Sequence, residues 1–155
     1  MRPVSTRAVI LAIDLGTTEI KGGLIDDGGR LVAAARATHA IDIDAATGRA
    51  EQDPEAWWDG LRAVVRRLMA GRAGEEARDV AAICVVGQGP TLVPVDAAGG
   101  ATHPAITWMD TRPASEAPAL EAATGLSGWG LGILPAARWL EHHDPAAAEA
   151  ARWYL

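Results

Sequence analysis

The chain has 155 residues, of which 49% are hydrophobic and 22% are charged, and its formal net charge is −6. This length is enough for one domain with its own core, or for part of a larger protein. The acidic balance argues against nucleic acid or an anionic membrane surface as the main partner.

Three short segments near the N-terminus have the length and composition of strands. They are Ala8–Ile13, Thr18–Asp26 and Arg30–His39, and Asp27-Gly28-Gly29 between the last two is a hairpin turn signal. Tight connections of this kind predict an antiparallel meander. The first apolar run ends at Asp14, too soon for a signal peptide or a membrane span, so we expect a cytoplasmic protein.

The clearest helix signal follows a polar stretch, Ile41–Gln52, that is predicted to be irregular. Asp53 is the expected N-cap, Pro54 suits the first helical position, and Gly71 is the expected stop. Apolar residues recur on one face of this helix, and its tryptophans are therefore expected in the core. The residues of this apolar face are Trp57, Trp58, Leu61, Val64, Val65, Leu68 and Met69.

A second run of strands follows the helix. Val80–Val86 is predicted to be a buried strand, and it contains the only cysteine, Cys84, which excludes an intramolecular disulfide and is expected to be a small buried side chain. The other predicted elements are strands at Thr91–Val95 and Ala105–Met109, a turn at Asp96–Gly100, a Gly-rich loop at Thr124–Gly132, and helices at Pro113–Ala123, Pro135–Glu141 and Pro145–Leu155. This order indicates a mixed sheet with helices packed against it, not the alternating units of a dinucleotide-binding fold.

The turn between the first two strands combines residues suited to a phosphate. Gly16 lets a ligand approach the backbone, Thr17 and Thr18 supply hydroxyls, and Lys21 adds a positive charge. Asp14 suits the site if a water-coordinated Mg²⁺ lies between it and the phosphate. The stretch matches neither GxGxxG nor GxxxxGK[ST]. On these residues alone, a magnesium-nucleotide site and a simple turn with a solvated aspartate are equal alternatives.

The segment D-L-G-T-T-x-x-K, Asp14–Lys21, resembles the first phosphate motif of the actin-like ATPase superfamily. The segment Ile83–Arg112 resembles the FGGY carbohydrate kinases, such as glycerol kinase and xylulokinase, and Glu51–Trp58 and Thr124–Leu126 add to the match. The matching positions in the long segment are Gln88, Asp96, Gly99, Ala105, Ile106, Trp108, Asp110 and Arg112. This resemblance, over essentially the whole chain, implies an α/β domain of the actin-like ATPase (ribonuclease H-like) fold, with a mixed five-stranded sheet and flanking helices.

The resemblance implies ATP-dependent phosphorylation of a sugar or polyol hydroxyl, with Mg²⁺ as the metal. By resemblance, Asp14 would hold Mg²⁺ through water, and the phosphate- and nucleotide-binding residues would be Asp14, Gly16, Thr17, Thr18 and Lys21. The substrate-binding set would be Gln88, Thr91, Trp108, Asp110 and Arg112. Within this set, Trp108 would form a wall of the sugar pocket, and Asp110 and Arg112 are expected to pair and brace it rather than touch substrate.

The departures from the family pattern concern the substrate. In glycerol kinase the glutamine of the turn is followed by an Arg-Glu pair, and in xylulokinases by Met-His, whereas this chain has Gly89-Pro90. A tyrosine of glycerol kinase corresponds to Leu131. A pocket without these polar groups cannot form the same hydrogen bonds to the hydroxyls of glycerol or xylulose. We therefore expect a sugar or polyol other than glycerol, and xylulose is doubtful, with Gln88 and Thr91 as the remaining polar residues of the turn.

The resemblance also implies a longer protein with a second domain. The aspartate that acts as general base, the second phosphate motif and the adenosine pocket are expected beyond Leu155, so residues 1–155 are expected to be an incomplete N-terminal domain that is inactive alone. The expected partners are this C-terminal domain and a small sugar or polyol, with a homodimer as a candidate assembly. The alternative function is a non-catalytic, degenerate actin-like module that binds sugar or nucleotide.

Four histidines remain outside these motifs. His142 and His143 could be a base or a metal pair, but adjacent residues on a helix point in different directions, so we expect solvated surface side chains. His39 and His103 are assigned no role.

Overall fold

A computed structural model describes residues 8–70 and 80–155, and the predicted helix stop, Gly71, lies outside this part of the chain. The described residues belong to two compact units. Unit 1 comprises residues 8–39, 55–70 and 80–88, and unit 2 comprises residues 40–54 and 89–155. Within the two described ranges, no helix is long and apolar enough to cross a membrane.

The strands and helices are numbered in chain order. They are β1 (Val9–Leu15), β2 (Glu19–Asp26), β3 (Leu31–Thr38), β4 (Asp42–Asp44), β5 (Arg49–Gln52), α1 (Pro54–Ala70), β6 (Val80–Gly87), β7 (Pro94–Val95), β8 (Ala105–Ile106), α2 (Ala117–Thr124), α3 (Leu134–His143), α4 (Pro145–Ala150) and β9 (Trp153–Tyr154). Short 3₁₀ helices at Arg112–Glu116 and Gly128–Leu131 precede α2 and α3.

Unit 1 contains the predicted meander. Strands β1, β2 and β3 pair antiparallel, β6 pairs parallel with β1, and the order across the sheet is β3-β2-β1-β6. The predicted mixed sheet is therefore confirmed. It has four strands among the described residues instead of the five expected, because the strands that follow β6 pair within unit 2, β7 with β9 and β8 with β5.

Helix α1 covers one face of this sheet. Alternate residues of β1, from Val9 to Ile13, point to the helix and are buried with Val64 and Leu68. Trp57 is partly buried against the same core, but Trp58 is 56% exposed, so its predicted place in the core is wrong. The reason is geometric: successive helical residues lie about 100° apart, so two adjacent tryptophans cannot both face the sheet.

Gly22 of β2 lies where α1 packs most closely on the sheet. A Cβ at this position would overlap Val64 Cγ1 and lie 3.0 Å from Leu68 Cδ1, and both of these side chains are buried. We expect Gly22→Ala to lower the free energy of unfolding by about 1–3 kcal/mol, because the core has no room for the added methyl group. Urea denaturation of the purified chain measures this loss.

Gly87 provides the matched control for Gly22. It is also a strand glycine of unit 1, but its Cβ would make only an ordinary contact, 3.8 Å from Leu15 Cβ. Gly87→Ala should therefore change stability by less than about 0.5 kcal/mol. Equal losses in the two variants would contradict close helix–sheet packing at Gly22.

Strand β6 differs from its prediction as a buried strand. From Ala81 to Gly87 its residues are exposed, with Ile83 66% and Val85 65% accessible, and Cys84 is exposed as well. The expectation of a small buried cysteine is therefore wrong. β6 is the edge strand of the sheet, and no other element within residues 8–70 and 80–155 pairs with its outer side. An apolar sequence cannot by itself distinguish such an edge strand from a central one.

Unit 2 contains two small sheets and a helical core. β4 and β5 form a hairpin in the stretch predicted to be irregular, because Gly48 adopts a positive φ of 80° and the Asp44 carboxylate accepts the Ala46 N–H at 2.9 Å. The predicted helix Pro145–Leu155 stops at Ala150, because β9 pairs with β7. The predicted strand at Ala105–Met109 is limited to β8. The buried residues of the helical core are Leu92, Ile106, Ala137, Leu140 and Ala147.

Candidate functional site

The turn between β1 and β2 is the predicted phosphate loop, a name used here for residues 14–21. The Gly16 N–H donates to the Glu19 carbonyl oxygen at 3.1 Å and closes the turn. A Cβ at Gly16 would lie 3.0 Å from that same oxygen, so a larger residue would crowd the turn. Thr17 is partly buried and Thr18 is exposed. The sequence folds here as predicted, with a tight turn and two hydroxyl residues at its tip.

Three charged residues form a row across the sheet beside this turn. Asp14 pairs in register with Lys21, and Lys21 with Arg36, so the three side chains share the face opposite α1. Lys21 Nζ lies 3.7 Å from Asp14 Oδ2 and 3.6 Å from Glu19 Oε1. The Asp14 and Lys21 side chains are about half exposed, and such pairs contribute only about 0–1 kcal/mol, so they can exchange partners at little cost.

This row borders a cavity of about 540 Å³ in unit 1. Asp14, Lys21, Arg36 and Cys84 are among its lining residues. Sequence reasoning did not identify Arg36. A regular count back from the predicted hairpin turn would place Ala35 opposite Lys21, and the register shift between Leu24 and Ile25 brings Arg36 there instead. The cavity thus combines one carboxylate with two cations, a charge pattern that suits a metal-bound polyphosphate.

His39 is a second residue that sequence reasoning missed. It follows β3, and its Nε2 atom lies 3.0 Å from the Gly16 carbonyl oxygen. No local motif indicates this contact, because the two partners are 23 positions apart in the sequence.

The predicted substrate residues are distributed over both units. Gln88 ends unit 1, and its N–H donates to the Leu15 carbonyl oxygen at 2.9 Å, which continues the pairing of β6 with β1. Thr91 belongs to unit 2, where its hydroxyl is buried and forms no hydrogen bond within the described chain. Trp108, also in unit 2, exposes half of its side chain.

Asp110 and Arg112 form the expected ion pair, and a third residue joins them. Arg112 donates to Asp110 through Nε at 3.0 Å and through Nη2 at 2.6 Å, and Nη2 also donates to Glu51 Oε1. The guanidinium lies over the Trp139 ring, 4.2 Å from its centroid. Burial by itself would lower the pKa of Arg112, but the hydrogen bonds to Asp110 and Glu51 outweigh it and raise the pKa above its usual value.

Backbone contacts fix this segment to β5. Asp110 Oδ2 accepts the Ala50 N–H at 3.0 Å, and the Thr107 hydroxyl donates to the Ala50 carbonyl oxygen at 2.8 Å. Trp108 lies between these two anchored residues. Its position is therefore set by the network around Arg112, which agrees with a bracing role for the pair.

A cavity of about 230 Å³ lies in unit 2 beside Trp108. Pro90, Asp110 and Leu131 line it as well, together with further apolar residues. Two of the positions that depart from the family pattern, Pro90 and Leu131, thus share one cavity with the predicted wall of the sugar pocket.

The histidines of α3 have the surface positions that their spacing predicts. His142 Nδ1 lies 3.2 Å from Glu116 Oε1, whereas the His143 ring stacks on Trp139 at 4.7 Å between centroids. Both are exposed and point to different neighbours. Over residues 8–70 and 80–155, no group of three or more His, Cys, Asp or Glu side chains could hold a metal ion.

Sequence comparison gives a family match along almost the whole chain. A family model described as "FGGY family of carbohydrate kinases, N-terminal domain" matches residues 9–155. A xylulose kinase from Streptomyces coelicolor is 35% identical over 155 residues, which cover 93% of this chain and 31% of that protein. A glycerol kinase from Beutenbergia cavernae is 38% identical over 104 residues, covering 66% of this chain and 20% of that protein.

Structure comparison gives the same result. The crystal structure of a xylulose kinase from Rhodospirillum rubrum superposes with a TM-score of 0.82 at 31% identity, covering 94% of this chain and 31% of that one. This likeness confirms the predicted actin-like ATPase fold. The chain spans about a third of the length of these two xylulose kinases.

Proposed function

The chain belongs to the FGGY family of carbohydrate kinases, and we propose that it is part of an enzyme that transfers a phosphoryl group from ATP to a hydroxyl of a sugar or polyol. The observation that carries this proposal is the row of Asp14, Lys21 and Arg36 beside the Gly16 turn. Phosphoryl transfer needs mainly positioning and charge neutralisation, and this row offers both.

Unit 1 is proposed to hold the phosphate end of Mg-ATP. The absence of a side chain at Gly16 lets a phosphate approach the turn, and the Thr17 and Thr18 hydroxyls and Lys21 are proposed to contact it. Asp14 is proposed to hold Mg²⁺ through water, since its half-exposed carboxylate borders the cavity. When bound, the metal would neutralise charge on the transferring phosphate.

Unit 2 is proposed to supply part of the sugar pocket. Trp108 would be its wall, held by the buried Asp110–Arg112–Glu51 network, with Thr91 as a polar residue of the preceding turn. Gln88, the last residue of unit 1, is proposed as a substrate residue by the family resemblance alone. Pro90 and Leu131 line the cavity beside Trp108 and carry no side-chain donor. This supports an acceptor other than glycerol and argues against xylulose, because the pocket cannot form the same hydrogen bonds to the hydroxyls of these two substrates.

The remaining parts of the catalytic site are proposed to lie in a C-terminal domain of the longer protein. The chain covers about a third of its xylulose kinase relatives, so residues 1–155 are proposed to be an incomplete N-terminal domain. A general-base aspartate, a second phosphate motif and the adenosine pocket would come from the rest of such a protein.

The second candidate function is a non-catalytic module that binds sugar or nucleotide. The apolar residues Pro90 and Leu131 favour it, because they replace polar substrate contacts of related kinases. The charged row beside Gly16 argues against a module that binds sugar alone, since a ligand without phosphate does not need that set.

Calorimetry on the full-length gene product tests the proposal. We expect binding of ATP that requires Mg²⁺, and tight binding of one or a few sugars or polyols from a panel that includes glycerol and xylulose. AMP, which lacks the β- and γ-phosphates, is the control and should bind much more weakly. Equal binding of ATP and AMP, or binding independent of Mg²⁺, would contradict a phosphate site at the Gly16 turn.

A further inference from the structure

We propose that His39 is a positioning residue that sets the backbone orientation of the phosphate loop. The role in phosphate binding rests on the function proposed above, whereas the effect on the loop backbone does not. His39 lies directly after β3, outside the loop, and it is only partly exposed.

His39 forms hydrogen bonds to two carbonyl groups of the turn. Its Nε2 atom lies 3.0 Å from the Gly16 carbonyl oxygen, and because a carbonyl can only accept, Nε2 carries the proton and donates it. The backbone N–H of His39 donates to the Thr18 carbonyl oxygen at 3.2 Å. One residue of the neighbouring strand end therefore fixes two of the carbonyl groups of residues 16–18.

These two hydrogen bonds also set the direction of backbone N–H groups. In a planar trans peptide, the C=O of one residue and the N–H of the next point in opposite directions. With the Gly16 carbonyl directed at His39, the Thr17 N–H is turned away from His39. Gly16 has no side chain to restrict this peptide, so a bond from outside the turn is needed to select one orientation. Ordered N–H groups are what a phosphate loop offers its ligand.

Helix α1 holds the imidazole in place. The Trp57 ring meets the His39 ring edge to face, with centroids 6.4 Å apart and an interplanar angle of 69°. Trp57 in turn packs against the core of unit 1. A continuous set of contacts thus runs from α1 through Trp57 and His39 to Gly16, and it connects the phosphate loop to the core of unit 1.

Amide hydrogen exchange of residues 14–21, measured without nucleotide on the full-length gene product, tests the backbone effect. We expect exchange about fivefold faster in His39→Leu, since a lost hydrogen bond of ordinary net strength corresponds to about fivefold. His39→Gln keeps an N–H donor and should stay near wild type. The matched control, His142→Leu, changes an exposed histidine of α3 and should have no effect. Unchanged exchange in His39→Leu would overturn the inference.

Steady-state kinetics test the link to phosphoryl transfer. His39→Leu should lower kcat by about tenfold or more while the KM for the acceptor stays constant, and His39→Gln should recover most of the loss. A purely structural residue would lower the melting temperature and would not be rescued selectively in kcat. A wild-type kcat in His39→Leu would overturn the inference. A wild-type protein without any phosphoryl transfer would instead refute the proposed function, and the exchange experiment would still decide the role of His39.

Discussion

Replacing Arg112 with methionine is expected to lower the free energy of unfolding of the chain by about 3–5 kcal/mol, because it leaves the buried Asp110 carboxylate without its cation and leaves Glu51 with the more distant Arg49, 3.9 Å away. The Asp110 side chain is 0% exposed, that of Glu51 is 9% exposed, and both accept hydrogen bonds from Arg112. The stacking of the guanidinium on Trp139 is lost as well. Urea denaturation followed by tryptophan fluorescence measures the change.

Two further variants separate the charge effect from lost packing. Arg152→Met removes an exposed arginine of the same unit and should cost less than about 0.5 kcal/mol. Adding Glu51→Gln to Arg112→Met should recover part of the stability, because a neutral amide costs less to bury than a carboxylate that has lost its nearest cation. If Arg112→Met lowers the free energy of unfolding no more than Arg152→Met does, the network does not stabilise unit 2.

Replacing Asp14 with asparagine is expected to reduce phosphorylation of the acceptor on the order of 100-fold or more, since groups that stabilise transition-state charge typically have effects of this size. The loss should appear in kcat. Stability should change little, because the half-exposed pair of Asp14 with Lys21 contributes only about 0–1 kcal/mol. Steady-state kinetics and thermal denaturation of the full-length gene product measure the two quantities.

Asp59→Asn is the matched control for Asp14. Asp59 is an exposed carboxylate of α1 in the same unit, paired with Arg62 at 3.4 Å, and α1 packs on the sheet face opposite the Asp14 side chain. Its replacement should leave kcat unchanged. If the Asp14 variant keeps kcat within about threefold of wild type, a role for Asp14 at the metal is wrong.

The meander and the phosphate turn could be predicted from the sequence because their determinants are local. Short apolar runs separated by Gly-rich turns fix β1, β2 and β3, and the Asp53-Pro54 start fixes α1. The ion pair of Asp110 with Arg112 was also predictable, since a single residue separates the partners. Glu51 was not predicted as its third member, because it lies 61 residues from Arg112 and the pairing of β5 with β8 brings them together.

Most of the errors arise where a residue's surroundings depend on distant parts of the chain. Cys84 has apolar neighbours in sequence, yet it is exposed, because a core exists only where a second element covers the residue. The error at Trp58 is local instead, since two adjacent helical residues cannot both face the sheet. Strand β9 depends on pairing with β7 rather than on its own two residues. His39 was missed for the same reason, since its ring direction follows from the end of β3 and from Trp57.

The most direct test of the proposed kinase activity uses ATP carrying radioactive phosphorus in the γ-position, incubated with the full-length gene product, Mg²⁺ and a panel of sugars and polyols. We predict label in a phosphorylated acceptor, in amounts equal to the ADP formed, and on the order of 100-fold less label with Asp14→Asn. Binding of ATP and acceptor without any labelled product, or label released only as inorganic phosphate, would contradict a carbohydrate kinase and favour a non-catalytic binding module.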